Sequence, residues 1–375
     1  MVYVRVTIVN TSSQYLARAV TIALRYSAIR RQSQPKPNEP EPQILDYVTQ
    51  QHKLLIGIAT VHAYHFTVRW LWDLYIEVNR DVNQGQLSNL PELHALTCCF
   101  KVISSFDCTE LIEKCRLACG GHGYMLSSNL PSLYGGCTAT CTYEGENTVL
   151  LLQAARSLVK SWHQATKGQK LSPSVEYLAE KALFPWDNSL NGIVKGFQRV
   201  SRGKLSTAVS SLKQYEASGL SPEDAWNKAS IQLTAAAEAH ARVILLSVYK
   251  IEIEKRASKL SPPLRIVLEQ LLELYFIYWT LEKIGDLLLY TQVSEKDVLA
   301  LQRKYEDLLE IIRPNAIGLV DAFDYRDEVL NSTLGSYDGR AYERLMEEAM
   351  KSPLNKEPVN ESFHKYLKPF LRGKL

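Results

Sequence analysis

Two glutamates beside a glycine and an asparagine, in CTYEGENTVLLLQAARSLVK (residues 141–160), are the groups of this 375-residue chain best placed to do chemistry. A carboxylate becomes a useful general base when its surroundings lift its pKa toward neutrality. Tyr143 and Cys141 give Glu144 less watery neighbours than a surface acid has. The same residues carry a plainer reading. Acids in the first turn of a helix gain roughly 0.3–1 kcal/mol from the dipole and the unpaired N–H groups there, and an amphipathic run begins just after Gly145. Residue chemistry alone leaves Glu144 and Glu146 open between base and dipole acid.

Other candidates also have two readings. Gly120-Gly121-His122-Gly123-Tyr124 is either a tight turn ending a helix or a glycine loop whose backbone closely approaches a ligand. It is not a GxGxxG motif after a strand, so a Rossmann site has little support. His122 could act as a base, but a lone histidine is more often a hydrogen-bonded structural residue. His62 and His65 share one face of a helix without an evident third ligand. Arg30 and Arg31 end the run ARAVTIALRYSAIRRQ and are either exposed or a phosphate clamp, since guanidinium groups match phosphate oxygens. All seven cysteines fall between Cys98 and Cys141. Cys115/Cys119 and Cys137/Cys141 flank His122, but no compact CxxC pair exists, so reduced buried thiols are expected and no metal.

These groups must be positioned by helices. Apolar residues recur at three- and four-residue spacing over 46–78, a second long helix is expected from about Leu93 to Ala118, and a third from Gly145 to about Leu158. QSQPKPNEPEPQ (32–43) is a loop, because its four prolines cannot sit inside a helix. Residues 166–222 look like short polar segments and a linker. Beyond them Ser221-Pro222-Glu223-Asp224, Ser261-Pro262-Pro263 and Ser294-Glu295-Lys296-Asp297 mark helix starts. The extreme N-terminus is ambiguous, since Val2, Val4, Val6 and Ile8 alternate as in a strand. The expected architecture is all-α, in two packed helical bundle domains: 1–167, a linker with short helices at 168–220, and 221–375.

The charge is close to balanced, with 43 basic and 40 acidic residues scattered along the chain, which leaves no stripe for nucleic acid. No uninterrupted apolar run of about 18 residues occurs, so no membrane span is expected. The N-terminus also lacks the layout of a secretory signal.

Several stretches together resemble the peroxisomal acyl-CoA oxidases: RYSAIRRQS (25–33), EPQILDYVTQQHKL (41–54), LPELHAL (90–96), CRLACGGHGY (115–124), CTYEGENTVLLLQAAR (141–156), DAFDY (321–325), LGSYDGRAYE (334–343) and SPLNKEPVNESF (352–363). The resemblance covers nearly the whole chain, is weakest over 166–222, and matches the family's C-terminal half. A complete oxidase begins with an α-helical and a β-barrel-like domain, and this chain is expected to start where those end. The resemblance also implies that residues 2–20 are helix rather than strand.

What the resemblance implies is an FAD enzyme that desaturates acyl-CoA to trans-2-enoyl-CoA and passes electrons to molecular oxygen, giving hydrogen peroxide. The glutamate of the family's (F/Y)-E-G motif falls on Glu144, which would remove the α-proton. The enolate oxygen would be met by the glutamate's own N–H and a flavin ribityl hydroxyl. Arg30 matches an arginine at the FAD diphosphate, with Gln32 close by. Gln50 and Gln51 fall in the family's Q-T-Q-Q stretch, where Val48 here replaces the first glutamine. Gly120 and Gly121 match the loop near the adenine, and Glu146 a further FAD contact. FAD in this family lies across a homodimer interface. Gly373-Lys374-Leu375 resembles a peroxisomal tripeptide of the Ser-Lys-Leu type, with glycine for serine. The rival expectation is a noncatalytic, dimer-forming helical remnant.

Overall fold

The computed structural model describes residues 1–180, 182 and 184–373, so Lys374 and Leu375 of the C-terminal tripeptide lie outside the described residues. Among the described residues the secondary structure is helical without strands, apart from one isolated antiparallel bridge between Arg31 and Gln43. The all-α expectation holds.

The first helix, α1 (Val2–Ile29), begins at the alternating valines, as the resemblance implied. Val6, Ile8 and Val9 are buried, and so are almost all residues from Leu16 to Tyr26. A helix enclosed on most sides loses its amphipathic period, which is why local alternation there mimics a strand. The proline-rich loop follows, and α2 (Val48–Asn83) and α3 (Leu90–Ala118) pack beside α1. The connection after α3 is not an open loop. It holds two short helices, α4 (Gly120–Tyr124) and α5 (Leu130–Ala139), before α6 (Asn147–Thr166).

The segment expected to be a linker contains α7 (Leu190–Ala217), a 28-residue helix. Its glycines read as breakers in sequence, yet they mark close approach. A Cβ on Gly196 would come within 2.3 Å of the Trp186 ring, and one on Gly203 within 2.3 Å of the Tyr290 ring. The explicit starts hold better, because cap hydrogen bonds are local. Ser221 Oγ accepts the Asp224 N–H at the start of α8 (Pro222–Lys228), which leads into α9 (Ser230–Ala257). Ser261 precedes α10 (Pro262–Glu282) without a side-chain cap bond. The apolar run then breaks at Lys283, so that α11 (Ile284–Tyr290) is separate. Ser294 and Asp297 form a complete capping box on α12 (Glu295–Ile312).

One continuous apolar core runs through helices of both halves. Its polar centre is the buried pair Arg242–Asp107, from α9 to α3, with bonds of 2.7 and 3.0 Å. Tyr64 Oη donates to the same carboxylate at 2.6 Å, and the Trp279 ring lies 3.4 Å under the guanidinium. By length and composition α9 could cross a membrane, but 61% of its most apolar window is buried inside the bundle, which marks it as a core helix here.

Candidate active site

Glu144 is not in the first turn of α6. It sits three residues before Asn147, in a turn, at φ +58°, followed by Gly145 at φ +112°. A Cβ on Gly145 would lie 2.6 Å from Leu150, so both backbone angle and space call for glycine. The dipole duty falls to Glu146, whose carboxylate accepts the N–H groups of Thr148 at 2.9 Å and Val149 at 3.4 Å. Of the two acids, Glu146 and not Glu144 caps α6. Among the described residues the Glu144 carboxylate and N–H have no hydrogen-bond partner, and the carboxylate enters no ion pair.

The turn is gripped from behind by two enclosed cations. Arg5 of α1 donates through Nε to the Glu144 carbonyl at 3.2 Å, and through Nη1 to Cys98 Sγ at 3.3 Å. Lys101 of α3 donates to the Gly145 carbonyl at 2.7 Å and to Asn147 Oδ1 at 2.8 Å. Burial pushes the Lys101 ammonium down to about 8, against the pull of Cys141 and Glu146. Sequence reading missed both cations, because their acceptors lie 139 and 44 residues away along the chain.

Five of the other expected residues converge elsewhere. Arg30, Gln32, Gln50, Gly120 and Gly121 line a single cleft of about 700 Å³, formed where α1 ends, α2 begins and α3 meets α4. Arg30 Nη1 donates to Tyr342 Oη at 3.2 Å, a bond that raises the guanidinium pKa further and that the sequence did not announce. Tyr26, also in the wall, is pushed up to about 12 by burial and by Tyr342. Gln50 donates to Ser27 Oγ at 3.1 Å and to the Ala118 carbonyl at 2.8 Å, which fixes it in the floor. A Cβ on Gly120 or Gly121 would meet nothing within 4 Å, so their backbone is open to close approach. His122 lines the same cleft, and its Nδ1 is buried without a hydrogen-bond partner.

Gln51 is not among the residues lining this cleft. Its Nε2 donates to the Leu45 carbonyl at 3.1 Å inside the fold. Glu146 is likewise committed to the start of α6. All seven cysteines are free and six are buried, and no group of three or more His, Cys, Asp or Glu side chains among the described residues could hold a metal ion. His62 and His65 therefore gain no third ligand; His62 packs beside Phe323.

Known proteins place the chain in a family. Residues 1–159 match the family model described as "Acyl-CoA oxidase, C-alpha1 domain", and residues 189–372 match "Acyl-CoA oxidase". The chain is 46% identical over 379 residues to acyl-coenzyme A oxidase 1 of Drosophila melanogaster, covering 100% of this chain and 57% of that protein. Against peroxisomal acyl-coenzyme A oxidase 1 of Rattus norvegicus the identity is 42% over 388 residues, with 100% and 58% covered. The chain thus spans little more than half the length of these curated relatives. Acyl-CoA oxidase-2 of Caenorhabditis elegans, solved with FAD, ascaroside-CoA and ATP bound, superposes with a TM-score of 0.93 at 39% identity, over 99% of this chain and 56% of that one. Acyl-CoA oxidase 1 of Arabidopsis thaliana gives 0.92 at 34% identity, over 100% and 58%. The chain belongs to the acyl-CoA oxidase family and corresponds to its C-terminal part.

Proposed function

We propose that this chain supplies the catalytic base and part of the flavin site for FAD-dependent oxidation of acyl-CoA to trans-2-enoyl-CoA, with hydrogen peroxide as co-product, in peroxisomal fatty-acid β-oxidation. The observation that carries the reading is the turn at Glu144, whose carboxylate and N–H have no hydrogen-bond partner among the described residues while Glu146 caps the helix. An α-proton beside a thioester is a weak acid, so its removal needs a poised base and fixed donors at the developing enolate oxygen. Glu144 offers both from one residue: the carboxylate takes the proton, and the N–H donates to the thioester oxygen. When bound, FAD supplies the acceptor for the β-hydride, and its reoxidation by molecular oxygen yields the peroxide.

The cleft fits the nucleotide portion of FAD by its chemistry. Arg30 would hold the diphosphate, the glycine backbone of Gly120 and Gly121 would allow close approach, and the unpartnered His122 Nδ1 would meet a polar group of the cofactor. Gln32 and Gln50 would line its path. The cleft and the Glu144 turn lie at opposite ends of α1, so one cofactor does not reach both. A homodimer answers that separation, each subunit giving its base to one FAD and its cleft to the other.

The test is direct. Protein loaded with FAD should release peroxide with palmitoyl-CoA, and Glu144→Gln should stop it while FAD stays bound. Colourless, inactive protein that still dimerises would instead support a noncatalytic remnant.

A further inference from the structure

Lys101 is wholly enclosed, at 0% exposure, and among the described residues no carboxylate lies within the 4.0 Å of an ion pair. A buried cation without a counter-ion costs several kcal/mol unless dipoles replace its lost water. Here those dipoles all belong to one turn. The ammonium donates to the Gly145 carbonyl and to Asn147 Oδ1, and Asn147 Nδ2 donates in turn to Ser105 Oγ at 3.0 Å, one turn further along α3. The segment that carries Glu144 is therefore tied to α3 at two successive turns.

Such a tie has a specific use. A non-glycine residue in the left-handed region is strained, and the conformation persists only where its surroundings over-determine it. The Glu144 carbonyl is held by Arg5 and the Gly145 carbonyl by Lys101, so both peptide planes that follow the Glu144 Cα are fixed. Charge-assisted bonds of this kind are roughly twice as strong as neutral ones. Lys101 itself is too enclosed to face a substrate.

We propose that Lys101 is a positioning residue for Glu144: through the Gly145 carbonyl and Asn147 it holds the turn in its left-handed form, keeping the Glu144 carboxylate and N–H in fixed register with the acyl-CoA α-carbon and thioester oxygen. The proposal rests on the assignment of Glu144 as the base. Its structural half, the holding of the turn, can be measured without that assignment.

The experiment compares wild type with Lys101→Met, which keeps the length and removes the charge and donors, and with Lys101→Gln, which keeps a neutral donor. Lys114→Met, further along α3, is the control. Amide hydrogen exchange is read at Tyr143, Thr148 and Leu150, whose hydrogen bonds flank the turn. In Lys101→Met these amides should exchange at least about tenfold faster, since their protection reports local opening. Lys101→Gln should fall between, and Lys114→Met should match wild type. In FAD-loaded protein with palmitoyl-CoA, kcat should fall about 10- to 100-fold in Lys101→Met. The KM and the FAD content should stay within about twofold of wild type, as for an interaction felt only in the transition state. Unchanged exchange in both Lys101 variants would overturn the proposal, and so would a raised KM at full kcat. Failure of both variants to fold would also overturn it, by making Lys101 a folding residue. Full turnover in Glu144→Gln would instead remove the base assignment, leaving the exchange result to decide whether Lys101 holds the turn.

Discussion

Arg5 and Arg30 occupy opposite ends of α1, Arg5 bonded to the Glu144 carbonyl and Arg30 to the Tyr342 hydroxyl, each at 3.2 Å. At 1.5 Å per residue they stand roughly 38 Å apart along the helix axis. One helix therefore carries a station at the proposed base and another at the proposed nucleotide cleft, farther apart than a single FAD extends. The proposed base, the proposed cleft and the proposed dimer are all tied to how that helix is placed.

Glu144→Gln should lower the rate of acyl-CoA oxidation by about 10²–10⁴-fold, the range a general base supplies. Glu146→Ala should leave the base in place but remove the α6 cap, costing about 1 kcal/mol of stability. Stopped-flow measurement of flavin bleaching, alongside urea unfolding of both variants, separates the two roles. Equal rate losses without a stability difference would contradict the division of labour between the two carboxylates.

Arg30→Ala should weaken FAD retention by about 10- to 100-fold, as expected for losing a charged hydrogen bond of roughly 1.5–3 kcal/mol. Gln51→Ala should not, because its amide bonds inside the fold and is not among the cleft-lining groups. Equilibrium dialysis of FAD against the two variants gives the comparison. A stronger effect of Gln51→Ala than of Arg30→Ala on the dissociation constant would count against the cleft.

The parts of this fold legible in sequence are those whose causes are local. Ser221 and Ser294 announced α8 and α12 because the cap bonds span three residues. Glu144 and Glu146 looked alike because nothing local shows that the chain turns at positive φ before α6 begins. Helix α7 was hidden by Gly196 and Gly203, whose absent side chains make room for Trp186 and Tyr290. Likewise the enclosure of α1 erased the period that would have distinguished it from a strand. Lys101, Arg5 and Tyr342 carried no sequence signal, since each meets its partner only through tertiary packing.

The Asp107–Arg242 pair should be costly to break. Asp107→Ala leaves the Arg242 guanidinium buried without its carboxylate, and the expected loss is roughly 3–5 kcal/mol. Because the pair joins α3 to α9, thermal unfolding should shift down for the chain as one cooperative unit. A loss below about 1 kcal/mol, the range of exposed pairs, would contradict its placement at the centre of the core.

Acid should act through His240. It is buried at 3% exposure, with Nδ1 at 2.8 Å from Tyr177 Oη, and burial pushes its pKa down to about 4. Above about 6.5 the ring is neutral folded or unfolded, so it contributes no pH dependence there. As pH falls from 6.5 toward 4 the unfolded chain takes up the proton and the folded chain does not, so stability is lost across that window. The full effect is on the order of 3 kcal/mol. The stability of wild type relative to His240→Gln, from urea midpoints at pH 7.5 and 4.5, should shrink by that order, and a pH-independent difference would refute the assignment.

Complementation between two inactive variants tests the shared site most directly. Glu144→Gln and Arg30→Ala protein, differently tagged and co-expressed, should form mixed dimers in which one site has neither defect and the other has both. With random pairing and FAD supplied below saturation for the Arg30→Ala cleft, peroxide release with palmitoyl-CoA should return to about one quarter of the wild-type rate. Activity no higher than the average of the two parent variants, in a preparation shown to contain mixed dimers, would contradict a base and a nucleotide cleft that serve different cofactors.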